Sequence, residues 1–101
     1  MTILVLGGQG MLGSALVRSL ANQKEEVIAH NRLACDLTDS WATYVYIKQI
    51  RPTTIYHAAG LVGGILSNMN NQYDYLFKNV TMASNVINAA STFSVPNLFY
   101  I

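Results

Sequence analysis

The sequence carries little charge: Asp, Glu, Lys and Arg make up 11% of its 101 residues, and the formal net charge is +1. Such a balance offers neither a basic face that would gather a polyanion nor an acidic tail, so nucleic acid is not an expected partner. Cysteine is nearly absent, with Cys35 alone. It has no internal disulfide partner, a reducing intracellular compartment fits best, and the residue reads as a packing group rather than a reactive thiol. Long apolar runs are also missing. None reaches the ~18 residues of a membrane span, and the start of the chain lacks the basic residues and length of a signal peptide, so a soluble, cytoplasmic protein with no membrane partner is expected. There is no internal repeat and no low-complexity tract, and the length holds one domain at most.

What is present alternates between two patterns. Residues 2–6 are a continuous β-branched and leucine run ended by Gly7-Gly8, which is how a strand buried on both faces reads. From 11 to 21, Leu12, Leu16 and Leu20 recur every four residues and predict an amphipathic helix. A second strand is expected at 27–30 and a short third extended piece at 34–36. Asp39 or Ser40 then caps a helix running to Ile50, stopped by Arg51-Pro52. Residues 54–59 read as the next strand and run into a loop with Gly60, Gly63 and Gly64. A long helix over 73–93 shows two apolar stripes, one of Leu76, Val80, Ala83, Ile87 and Ala90, the other of Met82, Val86, Ala89 and Phe93. Two stripes imply two buried contacts. After Pro96, residues 97–101 begin a fifth strand. Strands alternating with helices, with no hairpin signal, argue an α/β fold with a parallel sheet and right-handed crossovers.

The chemistry concentrates at the edge where those strands end. Gly7, Gly10 and Gly13 form G-x-x-G-x-x-G between a strand and a helix. Missing side chains let the chain turn sharply, admit a pyrophosphate close to the backbone, and let the helix pack against the strand, while the helix start supplies N–H donors. A carboxylate at the end of the second strand would select NAD through the ribose hydroxyls; Asn31-Arg32 stands there instead, and an arginine suits the 2′-phosphate of NADP. Asp36 has two open roles, acceptor for an adenine amino group or turn residue. In the "HAAG" run at 57–60, small Ala58 and Ala59 permit close approach of a cofactor, whereas His57, inside a strand, reads as a core histidine.

These motifs in this order resemble the opening of an extended short-chain dehydrogenase/reductase acting on nucleotide sugars. "HAAGLVGGILSN" followed by "DYLFKNVTMASNVI" is most similar to the GDP-L-fucose synthase family, the NADP-dependent epimerases and reductases that convert GDP-4-keto-6-deoxy-D-mannose to GDP-L-fucose. The resemblance covers 1–101. It implies a Rossmann-like sheet with NADP lying across Gly7, Gln9, Gly10, Met11, Leu12 and Gly13, Arg32 at the 2′-phosphate, Asp36 and Leu37 at the adenine, and Ala58 and Ala59 along the cofactor. Val62, Gly63 and Gly64 would border the nicotinamide and the substrate. It further implies a homodimer through the 73–93 helix, which would account for the second stripe.

Such enzymes work with a serine loop and a Tyr-x-x-x-Lys pair, and both are expected beyond Ile101. The chain is therefore expected to be an N-terminal, partial NAD(P)-binding domain truncated after its fifth strand, with the substrate domain absent, no activity alone, and no catalytic or metal-ligating residue assigned within it. Tyr44 and Lys48 do satisfy the Tyr-x-x-x-Lys spacing, but they precede the fourth strand and no serine loop comes before them, so the pair reads as structural. Three alternatives stand beside this reading: a fragment similar to dTDP-4-dehydrorhamnose reductase, a non-catalytic NADP-binding regulatory module, and a remnant that binds nothing.

Overall fold

The computed structural model describes residues 1–23, 25–60 and 69–101, with the backbone alone at 69–72. In chain order it contains β1 (Thr2–Leu6), α1 (Met11–Leu20), β2 (Glu26–Ala29), α2 (Ser40–Ile50), β3 (Thr54–His57), α3 (Met69–Thr92) and β4 (Asn97–Tyr100). The strands form one parallel sheet in the order β2-β1-β3-β4, a Rossmann-like arrangement. β1 is central, and its alternate side chains serve two cores. Ile3 and Val5 pack with Leu20, Leu16 and Val17 of α1. Leu4 and Leu6 pack on the opposite face with Ile47 of α2 and Met82, Val86, Ala89 and Ala90 of α3. A strand with a helical layer on both faces needs apolar residues at every position, which is why 2–6 shows no alternation.

The strand order places the topological switch at β1. Its chain neighbour β2 lies on one side and β3 on the other, so the connections leaving these strands diverge and open a crevice at their carboxyl ends. Register aligns the ends: Leu6 pairs with His57, and Val5 with both Ala29 and Tyr56. His57 in turn pairs with Tyr100 of β4, and their rings stack with centroids 5.0 Å apart.

Residues 34–36 depart from the sequence expectation. They form no strand; Asn31 Oδ1 accepts from the Ala34 N–H at 3.0 Å and folds 31–34 into a turn, so among the described residues the strand at 97–100 is the fourth and not the fifth. Short polar side chains that bond their own backbone compete with the ladder, and here the local bond prevails. The ends of α2 match the expectation. Asp39 accepts from the Ala42 N–H at 2.9 Å, and Arg51 closes the helix in the left-handed region at φ 49° just before Pro52. Replacing Asp39 by Ala leaves that first-turn N–H without its acceptor and is expected to lower unfolding free energy by about 1 kcal/mol, measured by urea denaturation.

Candidate functional site

The glycine turn is held by contacts that leave no room for a Cβ at three of its positions; at Gly8 it would lie 2.8 Å from the Ala29 Cβ. Gly7 adopts φ +74°, and a Cβ there would lie 2.7 Å from the Ala59 Cα, so the end of β1 rests directly on the backbone following β3. Gly13, in the first turn of α1, sits so close to the Gly7 carbonyl that any side chain would collide with it. Gly10 differs from all three. A Cβ there would meet only the Gly7 carbonyl, at 3.4 Å, so the demand for a glycine at this position does not come from the fold.

Backbone donors in the turn divide the same way. The N–H groups of Gly7, Gly8 and Gly10 donate to His30 Nδ1, the His30 carbonyl and the Gly7 carbonyl at 3.0, 2.8 and 3.0 Å. The first ladder bond of α1 is Ser14 N–H to the Gly10 carbonyl at 2.8 Å, and Gly10 at the N-cap supplies no side-chain acceptor. The first-turn amides of α1 therefore lack the side-chain cap that α2 receives from Asp39, and they carry the positive end of the helix dipole.

Beside this turn lies an open cleft of about 670 Å³ at the switch point. Its lining collects Gly7, Gln9 and Gly10 from the turn, Arg32, Asp36 and Leu37 from the connection after β2, and Ala58 and Ala59 from the end of β3. Arg32 is exposed, and the Leu37 side chain is buried in the core while the residue borders the cleft. Met11 is 92% exposed, Leu12 is half exposed and Gly13 is buried; none of the three lines the cleft. Val62, Gly63 and Gly64 lie outside the described residues.

Asp36 is already engaged. Its Oδ1 accepts from the Thr38 hydroxyl at 2.6 Å and the Thr38 N–H at 3.0 Å, and these bonds hold the carboxyl below its usual range, with Arg32 and Lys78 adding to the effect. It is thus an ionised turn residue on the cleft wall, and the unused capacity of a carboxylate leaves room for a further donor.

His57 is 1% exposed, and neither ring nitrogen has a hydrogen-bond partner among the described residues. Burial lowers its pKa, the nearby Ala59 backbone opposing this and His30 adding to it, so the ring is held neutral in the core. Cys35 is buried and free, and burial raises its thiol pKa, as suits a packing residue. Tyr44 stacks on Trp41 at 5.4 Å and meets Phe93 at 4.9 Å, Lys48 is exposed, and neither Tyr44 nor Lys48 lines the cleft.

Two residues of the cleft escape the motif reading. His30 ends the second strand segment at the carboxyl edge, where ligands of such sheets lie. Lys78 stands four residues before Met82, so it continues the stripe of Met82, Val86 and Ala89 with a cation and thereby brings a charge to the cleft wall. Among the described residues no group of three metal-ligating side chains occurs, and no helix is long and apolar enough to cross a membrane.

Comparison with known proteins follows the same geometry. The model of the NAD dependent epimerase/dehydratase family matches residues 3–101. The GDP-L-fucose synthase of Sinorhizobium fredii is 36% identical over 99 residues, which are 98% of this chain and 32% of that protein. The GDP-L-colitose synthase of Yersinia pseudotuberculosis is 34% identical over 98 residues, 97% of this chain and 32% of that one. Among solved structures, a GDP-L-fucose synthetase from Naegleria fowleri bound to NADP superposes with a TM-score of 0.82 at 26% identity, covering 98% of this chain and 29% of the other. The chain spans about a third of the length of these relatives.

The three glycines are separable by experiment. Gly13→Ala, which must push backbone apart, is expected to cost about 2 kcal/mol or more of stability, while Gly10→Ala stays within about 1 kcal/mol of the unsubstituted protein. Thermal and urea unfolding of both variants check this.

Proposed function

The chain belongs to the NAD dependent epimerase/dehydratase family, and on that premise we propose that it is the NADP-binding portion of a nucleotide-sugar epimerase/reductase of the GDP-L-fucose synthase kind. One observation carries the reading: a single cleft gathers the glycine turn, Arg32, Asp36 and the Ala58-Ala59 step. Those residues come from three separate connections; the backbone contact of Gly7 with Ala59 joins two of these, and Arg32 and Asp36 stand exposed on the third.

The residues present fit a dinucleotide. The uncapped start of α1 offers amide donors and dipole to a diphosphate, and Gly10 leaves open the side from which a phosphate would approach. Arg32 offers a planar pair of donors to the 2′-phosphate, with no carboxylate at the end of β2 to repel it. Asp36, ionised and bordering the same cleft, accepts from the adenine amino group, and Leu37 flanks it. Ala58 and Ala59 keep the floor low enough for the cofactor to lie along β3. NADP, when bound, supplies hydride chemistry at its nicotinamide. The residues of this chain hold and orient it, and the substrate is a nucleotide sugar, bordered by Val62, Gly63 and Gly64 on the sequence reading.

A homodimer belongs to the same proposal. Leu76, Val80 and Ile87 on the outer face of α3 are each more than half exposed and, with Tyr100, line one open apolar face, while Met82, Val86 and Ala89 fill the core. An apolar helix face of that extent suits burial against its own symmetry mate.

Isothermal titration with NADP and NAD tests the cofactor reading. Preference for NADP is expected, and Arg32→Ala should weaken NADP by roughly 1.5 to 3 kcal/mol while leaving NAD nearly unchanged. Heat with neither cofactor would defeat it. For the dimer, Ile87→Glu is expected to convert the protein to monomers in sedimentation velocity runs with its circular dichroism retained; an unchanged sedimentation coefficient would remove α3 as the interface.

A further inference from the structure

His30 engages every polar group it owns. Its N–H donates to the Val5 carbonyl at 2.9 Å and its carbonyl accepts from the Gly8 N–H at 2.8 Å. Its Nδ1 lies 3.0 Å from the Gly7 nitrogen and its Nε2 2.8 Å from the Cys35 carbonyl oxygen. The Gly7 N–H can only donate and a carbonyl can only accept, so one tautomer satisfies both: the proton on Nε2 and the lone pair on Nδ1. The residue is 1% exposed, and the Tyr46 ring meets it edge-on with centroids 5.6 Å apart.

We propose that His30 is the positioning residue of the cofactor cleft: its neutral ring couples the first amide of the glycine turn to the Cys35 carbonyl and so sets the turn in the posture that receives a dinucleotide phosphate. The inference rests on the NADP reading above. It gives the cleft a pH dependence of definite sign. A proton on Nδ1 would set donor against donor at Gly7 and break the coupling. Burial lowers the His30 pKa below its ordinary 6.5, the bond to Cys35 opposing that shift. The neutral ring therefore prevails at and above that value, and the coupling is lost as pH falls through the lower folded-state value; the linked part of folding stability follows the same course.

The groups around the ring do not reverse this sign. The Cys35 thiol and the Tyr46 phenol are both raised by burial and stay uncharged, and His57 on β3 is held neutral. Arg32, Asp36 and Lys78 border the cleft, with Asp39 farther back near Cys35, and the two ring nitrogens face the Gly7 amide and the Cys35 carbonyl rather than a carboxylate.

The test titrates the full chain with NADP from about pH 8 to about pH 5, beside His30→Gln, whose amide accepts from Gly7 and donates to Cys35 without titrating. Protonation of the 2′-phosphate near pH ~6 weakens both proteins alike and cancels in the comparison. On acidification, the Kd of the unsubstituted protein is expected to rise more steeply than that of the variant. Nitrogen-15 spectra of the cofactor-free protein should show the Nε2–H tautomer, with Gly7 amide exchange accelerating as the ring protonates. Parallel Kd profiles, or an Nδ1–H tautomer, overturn the inference; should His30→Gln not fold, the spectra on the unsubstituted chain decide it. Absence of NADP binding at about pH 8 with the coupling intact defeats the proposed function and this inference with it, whereas binding with parallel profiles defeats this inference alone.

Discussion

Everything at the carboxyl edge of the sheet depends on one close approach, the backbone of Gly7 lying against that of Ala59. A left-handed residue at the end of β1 turns the chain back over the end of β3, and the absence of a Cβ lets the two meet at a separation that no other residue type would permit. The Gly7 carbonyl then forms the surface on which Gly13 seats α1. Strand, turn and helix are thus fixed relative to one another through main-chain atoms. Side-chain packing beneath them fills the layers, and the His30 ring adds a bond to the Gly7 N–H.

The two cores explain why so small a sheet holds this turn firmly. β1 has its odd residues under α1 and its even residues under α2 and α3, so bending the strand would open both layers at once. The edges are looser. β2 is half exposed along its length, and β4, paired with β3, presents Phe99 and Tyr100 at 50% and 62% exposure, with Phe99 stacked on Tyr56 and Tyr100 on His57. Rigidity is greatest in the strand that delivers the turn.

Most of the architecture was legible because hydrophobic pattern and punctuation agree. The unbroken run at 2–6 could only be a strand buried twice, and Asp39 and Pro52 mark α2 from both ends. The stripe of Met82, Val86 and Ala89 separated cleanly from that of Leu76, Val80 and Ile87, while Ala90 turned out to belong with the buried set. What the sequence concealed was set by bonds invisible to pattern. At 34–36 an Asn31 side chain overrides extended backbone, and the ring partners of His30, Gly7 at 23 residues and Cys35 at five, are fixed only by the folded chain and a tautomer. The sequence reading named Gly7, Gln9, Gly10, Arg32, Asp36, Leu37, Ala58 and Ala59 of the cleft lining, whereas His30 and Lys78 carry their meaning in tertiary placement.

The Leu37 carbonyl oxygen accepts from Asn85 Nδ2 of α3 at 2.8 Å, while the single hydroxyl proton of Thr43 in α2, 3.3 Å away, is shared with the nearer Asp39 carbonyl at 2.8 Å. The Asn85 bond anchors the peptide plane beside Asp36 to α3, so that plane cannot rotate without breaking it. The wall of the cleft is therefore preorganised: its width is inherited from how α2 and α3 pack, and an entering ligand gives up little entropy to shape it.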